Sequence, residues 1–204
     1  MMDANSAPAS LQTFALTDLA PYTREGQFSA NASKDFSLFL VGRDNVHEAL
    51  KHVLSRVQSS LYLNMFGYDD DELNDILMDK ALDPNITMLI TLDKSQAGGV
   101  HEKRLLDADR AKDLKSFNTH FTIGQSATHQ ISHTKGFVAD GVVGGEGSTN
   151  WSVTGEGFFV KGQPGKAQNN TQTFFTCPDA IARFQAQLIA EHMIAAKQQR
   201  TPAT

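Results

Sequence analysis

Residues 132–151 read SHTKGFVADGVVGGEGSTNW. His133 is followed two residues on by Lys135, after four intervening residues by Asp140, and after six more by Gly147-Ser148-x-Asn150. Side chains alternate along an extended strand, which puts His133 and Lys135 on one face. A glycine-rich reversal then lets Ser148 and Asn150 return to that face. An imidazole, an ammonium, an amide and a hydroxyl converging in this way suit a phosphate. Lysine and asparagine neutralise or hydrogen-bond phosphoryl oxygens, while histidine attacks phosphorus or protonates a departing oxygen.

Working outward, the flanking chain alternates strands with helices. Phe36 to Val41 is a short apolar run suited to a buried strand. Val46, Ala49, Leu50, Val53, Leu54 and Val57 then recur at helical spacing, with Asn45 and Glu48 placed as a capping box. Leu61 to Phe66 reads as a second strand. The acidic run Asp69 to Glu72 reads as a helix start rather than a metal site, because negative charge in a first turn favours the macrodipole. Leu73, Ile76, Leu77 and Ala81 form that helix's buried face. Ile86 to Leu92 is a third strand, Val100 to Lys112 a charged helix, Phe117 to Ile123 a strand and Thr171 to Thr176 a late strand. Pro178 opens a closing helix whose face is Ile181, Phe184, Leu188 and Met193. This order predicts an α/β sandwich around a mixed, largely parallel sheet. Residues 1–33, rich in Ala, Ser, Asn and Thr, read as an N-terminal extension, draped over the domain or partly disordered. The domain spans 34–197, and 198–204 form a tail.

The motif resembles HxKxxxxDxxxxxxGSxN, the signature of the phospholipase D superfamily, and all six named positions match its spacing. The resemblance covers about residues 34–197 and implies that superfamily's α/β/α layering. It also implies catalytic roles for His133, Lys135, Asn150, Ser148 and Asp140, with Lys135, Asn150 and Ser148 holding substrate oxygens and Asp140 serving more as a structural partner than as a reactant. Sites of this kind use two histidines, one as nucleophile and one as general acid. A single motif and no internal repeat therefore imply the small bacterial endonuclease-like branch and a homodimer with two His133 side chains facing one phosphate. In that mechanism a phosphohistidine forms, no metal or other cofactor takes part, and two coupled imidazoles give a bell-shaped pH profile. Related small nucleases carry a downstream Asn-x-Glu whose carboxylate orients a catalytic histidine. This chain reads Gln168-Asn169-Asn170-Thr171-Gln172 there, which leaves Asn170, Gln172, Glu146 or Glu156 as substitutes.

Composition bounds the remaining classes. The 204 residues are 40% hydrophobic and 20% charged, ordinary for one globular domain, and the net charge of −5 excludes coating nucleic acid by bulk charge. Local basic candidates for a substrate channel are Lys103, Arg104, Arg110, Lys112, Lys115, Lys161 and Lys166. One cysteine, Cys177, excludes an intrachain disulfide framework and is expected to be buried and inert. No apolar run reaches membrane-spanning length and the start does not read as a secretory signal, so a protein without stable membrane insertion is expected, cytoplasmic, or periplasmic or secreted if a leader was removed. His129-Gln130-Ile131-Ser132-His133 lacks the glutamate and helical context of a zinc protease, and Gly144 to Ser148 lacks the lysine of a P-loop. Trp151 is expected to pack on the sheet, and His47, His52, His101, His120 and His192 to be surface or locally satisfied. The expected function is a phosphodiester hydrolase acting on nucleic acid. The alternatives are a phospholipase D or transphosphatidylase acting on phospholipid, and a catalytically silent nucleic-acid-binding module.

Overall fold

A computed structural model of the chain describes residues 10–94, 99, 103, 104, 107, 119–125, 127, 128, 130–157 and 167–200. Seven strands form one sheet: β1 (Phe36–Leu40), β2 (Ser60–Met65), β3 (Thr87–Asp93), β4 (Thr119–Gly124), β5 (Gly136–Ala139), β6 (Val143–Gly147) and β7 (Thr171–Phe175). Their order is β1-β7-β6-β5-β2-β3-β4. The β2–β3 and β3–β4 pairings are parallel, and the other four are antiparallel. Followed across the sheet, β1, β6, β2, β3 and β4 run one way, and β5 and β7 run against them. The expected mixed sheet is therefore largely parallel in strand direction but not in its pairings. The cause is local: Asp140-Gly141 closes β5 and β6 into a tight hairpin, both residues at positive φ as primed turns require.

The apolar stripe on α1 (Val46–Leu54) explains the main core. Val46, Ala49, Leu50, Val53, Leu54 and, just beyond the helix, Val57 are all fully buried, each contributing about 2 kcal/mol at most by area removed from water. They pack with Leu73 and Leu77 of α2 (Asp71–Leu82) and with Leu61, Leu63, Met65, Phe137 and Phe174 of the sheet. On the opposite face lies α4 (Pro178–Arg200), whose Ile181 and Leu188 cover Val138, with Phe184 and Phe175 alongside. Helices thus cover both faces, as the alternating order requires.

Several local expectations are corrected. The capping box is half formed: the Asn45 side chain accepts from Glu48 N–H at 3.2 Å, but Glu48 binds Lys51 and Asn45 N–H donates to Tyr22 O. Met193 is 63% exposed, because the α4 face continues from Leu188 through His192 and Ala195. Residues 131–135 precede β5 rather than lying in it. Cys177 is half-buried rather than buried. The described part of the extension is draped on α1. It forms two short 3₁₀ turns, η1 (Leu11–Thr13) and η2 (Leu16–Tyr22), which bury Leu11, Leu16 and Leu19 in the main core. The expected helix 100–112 falls largely outside the described residues. Among the described residues no helix is long and apolar enough to cross a membrane.

Candidate active site

Alternation continues into the segment before β5. Ser132 and Thr134 turn toward the α4 side. The Ser132 hydroxyl pairs with Asn64 of β2, its N–H donates to Asp93 at the end of β3, and the Thr134 hydroxyl donates to Glu191 at 3.1 Å. Asn64 also donates to Glu191. His133 and Lys135, the intervening residues, both meet the ring of Phe66 just past β2. The His133 ring stands edge-on to it at 4.9 Å between centroids, and Lys135 Nζ lies 5.0 Å from its centre. His133 is exposed, whereas Lys135 is only 3% exposed and donates to the His133 carbonyl at 2.9 Å. Burial pushes the Lys135 ammonium below its usual range, and Glu146 and Asp93 work the other way. A poorly hydrated ammonium beside an open imidazole is a place where an anion is welcome.

The residue after Phe66 brings in the second half of the motif. Gly67 N–H donates to Asn150 Oδ1 at 3.1 Å, and Trp151 N–H donates to Gly67 O at 3.0 Å. A Cβ on Gly67 would stand 3.0–3.2 Å from the Asn150 side chain, so the close approach favours glycine. With its oxygen held, the Asn150 amide has its NH₂ end left to donate. Gly147 N–H donates to Lys135 O at 3.2 Å, which ties the start of the Gly-Ser-x-Asn loop to the lysine. Ser148 exchanges hydrogen bonds with Thr171, and its hydroxyl donates to Asn170 Oδ1 at 3.2 Å. Trp151 is buried between Phe137 and Tyr68, in the packing role expected of it.

His133, Lys135 and Asn150 are thus brought together around Phe66-Gly67, and Ser148, on the same loop as Asn150, is held by Thr171 and Asn170. Asp140 does not join them. It lies at the opposite end of β5, where its carboxylate accepts from the N–H groups of Gln58, Ser59 and Ser60 and from the Ser59 hydroxyl. That placement accords with the structural part the resemblance implies for it, since a hairpin turn that must close on the α1–β2 connection needs an acceptor there. Of the substitutes for the downstream carboxylate, Asn170, Gln172 and Glu156 are otherwise engaged. Asn170 holds Ser148, Gly155 O and Gln168; Gln172 is buried and donates to Thr173 O. Glu146 is exposed, and Glu156 is buried on His47. Of the basic candidates, Lys103 and Arg104 are exposed, and Arg104 lies 3.8 Å from Asp71. Arg110, Lys112, Lys115, Lys161 and Lys166 lie outside the described residues, as does His101.

Sequence reasoning missed Phe66, Gly67, Asn64, Asp93 and Glu191. Phe66-Gly67 at the carboxyl end of a strand was the available signal, since sites in open α/β sheets form at such ends. It also missed a cluster of ligand-type groups: His47, expected at the surface or locally satisfied, is fully buried beside Asp70 and Glu156. His192 is buried too, bonded to Thr91 Oγ1, and burial, helped by nearby His120, pushes it down to about 4.

The layering and strand order define a phospholipase D-like fold, and solved structures agree. Nuc from Salmonella typhimurium, a phospholipase D family member, superposes with a TM-score of 0.58 at 14% identity, over 77% of this chain and 94% of its own. NucT from Helicobacter pylori gives 0.60 at 16% identity, over 76% and 94%. TrmBL2, an archaeal chromatin protein described as binding DNA in a novel mode, gives 0.52 at 11% identity, over 78% of this chain and 52% of its own. No family model matches the chain, and no curated protein matches it in sequence.

Proposed function

We propose that this chain is a phosphodiester hydrolase acting on nucleic acid, working as a homodimer through a phosphohistidine on His133. The observation that carries the reading is the Phe66-Gly67 hub, which holds an exposed imidazole beside a desolvated ammonium and an oriented amide. One neutral His133 attacks phosphorus, and the P–O bond to the leaving group breaks. The departing oxygen takes a proton from the second, protonated His133. That imidazole, now neutral, removes a proton from water; the hydroxide attacks phosphorus, the P–N bond breaks, and both histidines return to their starting states. Lys135 and Asn150 hold the non-bridging oxygens throughout, where charge develops. The exposure of His133 and the half-exposed apolar Ile131 two residues before it support a second copy closing over this face. Nucleic acid is favoured over lipid by the likeness to a DNA-binding chromatin protein.

Cleavage of labelled single- and double-stranded DNA and RNA in excess EDTA, wild type against His133→Ala, tests the reading. Cleavage by wild type alone is expected. Hydrolysis of phosphatidylcholine with no nucleic-acid cleavage would reassign the substrate, and salt-sensitive binding without turnover would show a silent module.

A further inference from the structure

His47, Asp70 and Glu156 come from three elements and meet in the interior. His47 is the second residue of α1, Asp70 caps α2 and Glu156 ends α3 (Val153–Glu156). None is more than 1% exposed. His47 Nδ1 lies 2.6 Å from Glu156 Oε2 and 3.5 Å from Asp70 Oδ2, and one donor atom from each residue lies within 4.8 Å of the others. Asp70 Oδ1 is occupied by Leu73 N–H at 2.7 Å. Asp70 Oδ2, Glu156 Oε1 and His47 Nε2 have no hydrogen-bond partner among the described residues. Buried polar atoms are nearly always paired, and the two orphaned carboxylate oxygens, Asp70 Oδ2 and Glu156 Oε1, ask for a common cause.

Charge gives the same answer. Two carboxylates with a neutral imidazole carry −2, and an imidazolium still leaves −1. The ammonium that acts on His47, Lys51, is engaged by Glu48 and Glu72. The far side of the imidazole completes the pattern. Nε2 faces Glu72 Oε2 at 3.6 Å, and Glu72 is held by Lys51. A metal-bound histidine characteristically turns its other ring N–H to a carboxylate in this way.

We propose that His47 Nδ1, Asp70 Oδ2 and Glu156 bind one divalent transition-metal ion of the zinc class, with Glu72 as the carboxylate behind the histidine. One nitrogen and two carboxylates suit zinc at about 2.0–2.2 Å, whereas calcium requires six to eight oxygens. The role is structural. Glu156 lies six residues past Asn150, and Gly155 O accepts from Asn170, which holds Ser148. The ion would pin the loop bearing both motif residues to the starts of α1 and α2, and it takes no part in the two-histidine chemistry.

The test is elemental analysis of the full chain grown with zinc and purified without chelator, together with thermal melts of metal-stripped protein with and without added zinc. One zinc per chain and a higher Tm on zinc addition are expected. Glu156→Gln and Asp70→Asn, which preserve shape and the α2 cap, should lose the zinc, whereas Glu72→Gln should weaken binding by about 10–100-fold. If the variants do not fold, the absorption of wild type reloaded with cobalt reports whether the ion sits in a closed, low-coordinate site. Wild type without metal and without a zinc-dependent melt overturns the proposal. So does zinc that survives Glu156→Gln but is lost in Glu48→Gln, which would place it in the outer His47–Glu48–Glu72 group instead.

Discussion

Two histidines of this molecule stand in opposite surroundings. His133 is open to solvent, rests edge-on against one aromatic ring, and has Lys135 and Asn150 within the same hub. His47 is sealed among carboxylates contributed by two other helices. An imidazole that must form and break a bond needs access and a free lone pair. One that ties elements together needs burial and fixed partners. The same side chain serves either end because its surroundings choose which nitrogen is available and to what.

The contrast breaks if the two positions respond alike to substitution. His133→Ala should lower phosphodiester hydrolysis by about 10⁴-fold with the Tm unchanged, since an exposed side chain adds little to stability. His47→Ala should do the reverse, lowering unfolding free energy by about 3–5 kcal/mol as two carboxylates lose their buried partner; chemical denaturation measures it. Next in size, Lys135→Met keeps the stem against Phe66 and removes the charge. It should reduce kcat by about 10²–10³-fold while leaving stability equal or higher, because a desolvated ammonium has been relieved.

A smaller effect sharpens the comparison with a third histidine. His192 is held at about 4 by burial, below the 6.5 of an exposed imidazole. Its folded-state pKa is depressed, so the neutral form belongs to the folded chain and protonation favours unfolding. The stabilisation is complete above pH 6.5 and is lost as pH falls toward 4, amounting to about 3 kcal/mol over that interval. Denaturation at several pH values should show this slope, and His192→Gln should flatten it. Smallest of all, Asp140→Ala should cost about 2 kcal/mol of stability by orphaning the N–H groups of residues 58–60, with kcat per folded molecule unchanged. A collapse of kcat would return Asp140 to the catalytic set.

The motif was legible because one contiguous stretch carries it. The alternation that separates Ser132 and Thr134 from His133 and Lys135, and the glycines that reverse the chain, are local properties of residues 132–151. The layering was legible for a similar reason: the α1 stripe and the Leu73–Ala81 face follow helical period. That Asp140 falls at the far end of β5 from the other motif residues was not legible, because spacing along a chain does not say at which end of a strand a residue falls. The cluster of His47, Asp70 and Glu156 was invisible because its members lie 23 and 86 residues apart in sequence, and each has a local role that accounts for it. Asp70 was read as a helix start, and it is one, through a single oxygen. The other oxygen belongs to tertiary structure. The 3₁₀ turns at 11–22 escaped notice because Leu11, Leu16 and Leu19 follow no single helical or strand period.

The central claim is a covalent bond between His133 and phosphorus. Rapid quench of wild type with a phosphorus-labelled oligonucleotide, followed by peptide mapping, tests it most directly. The account predicts an acid-labile, base-stable label on the peptide containing His133, absent in His133→Ala. Turnover without any label in wild type, or label that persists in His133→Ala, would contradict it.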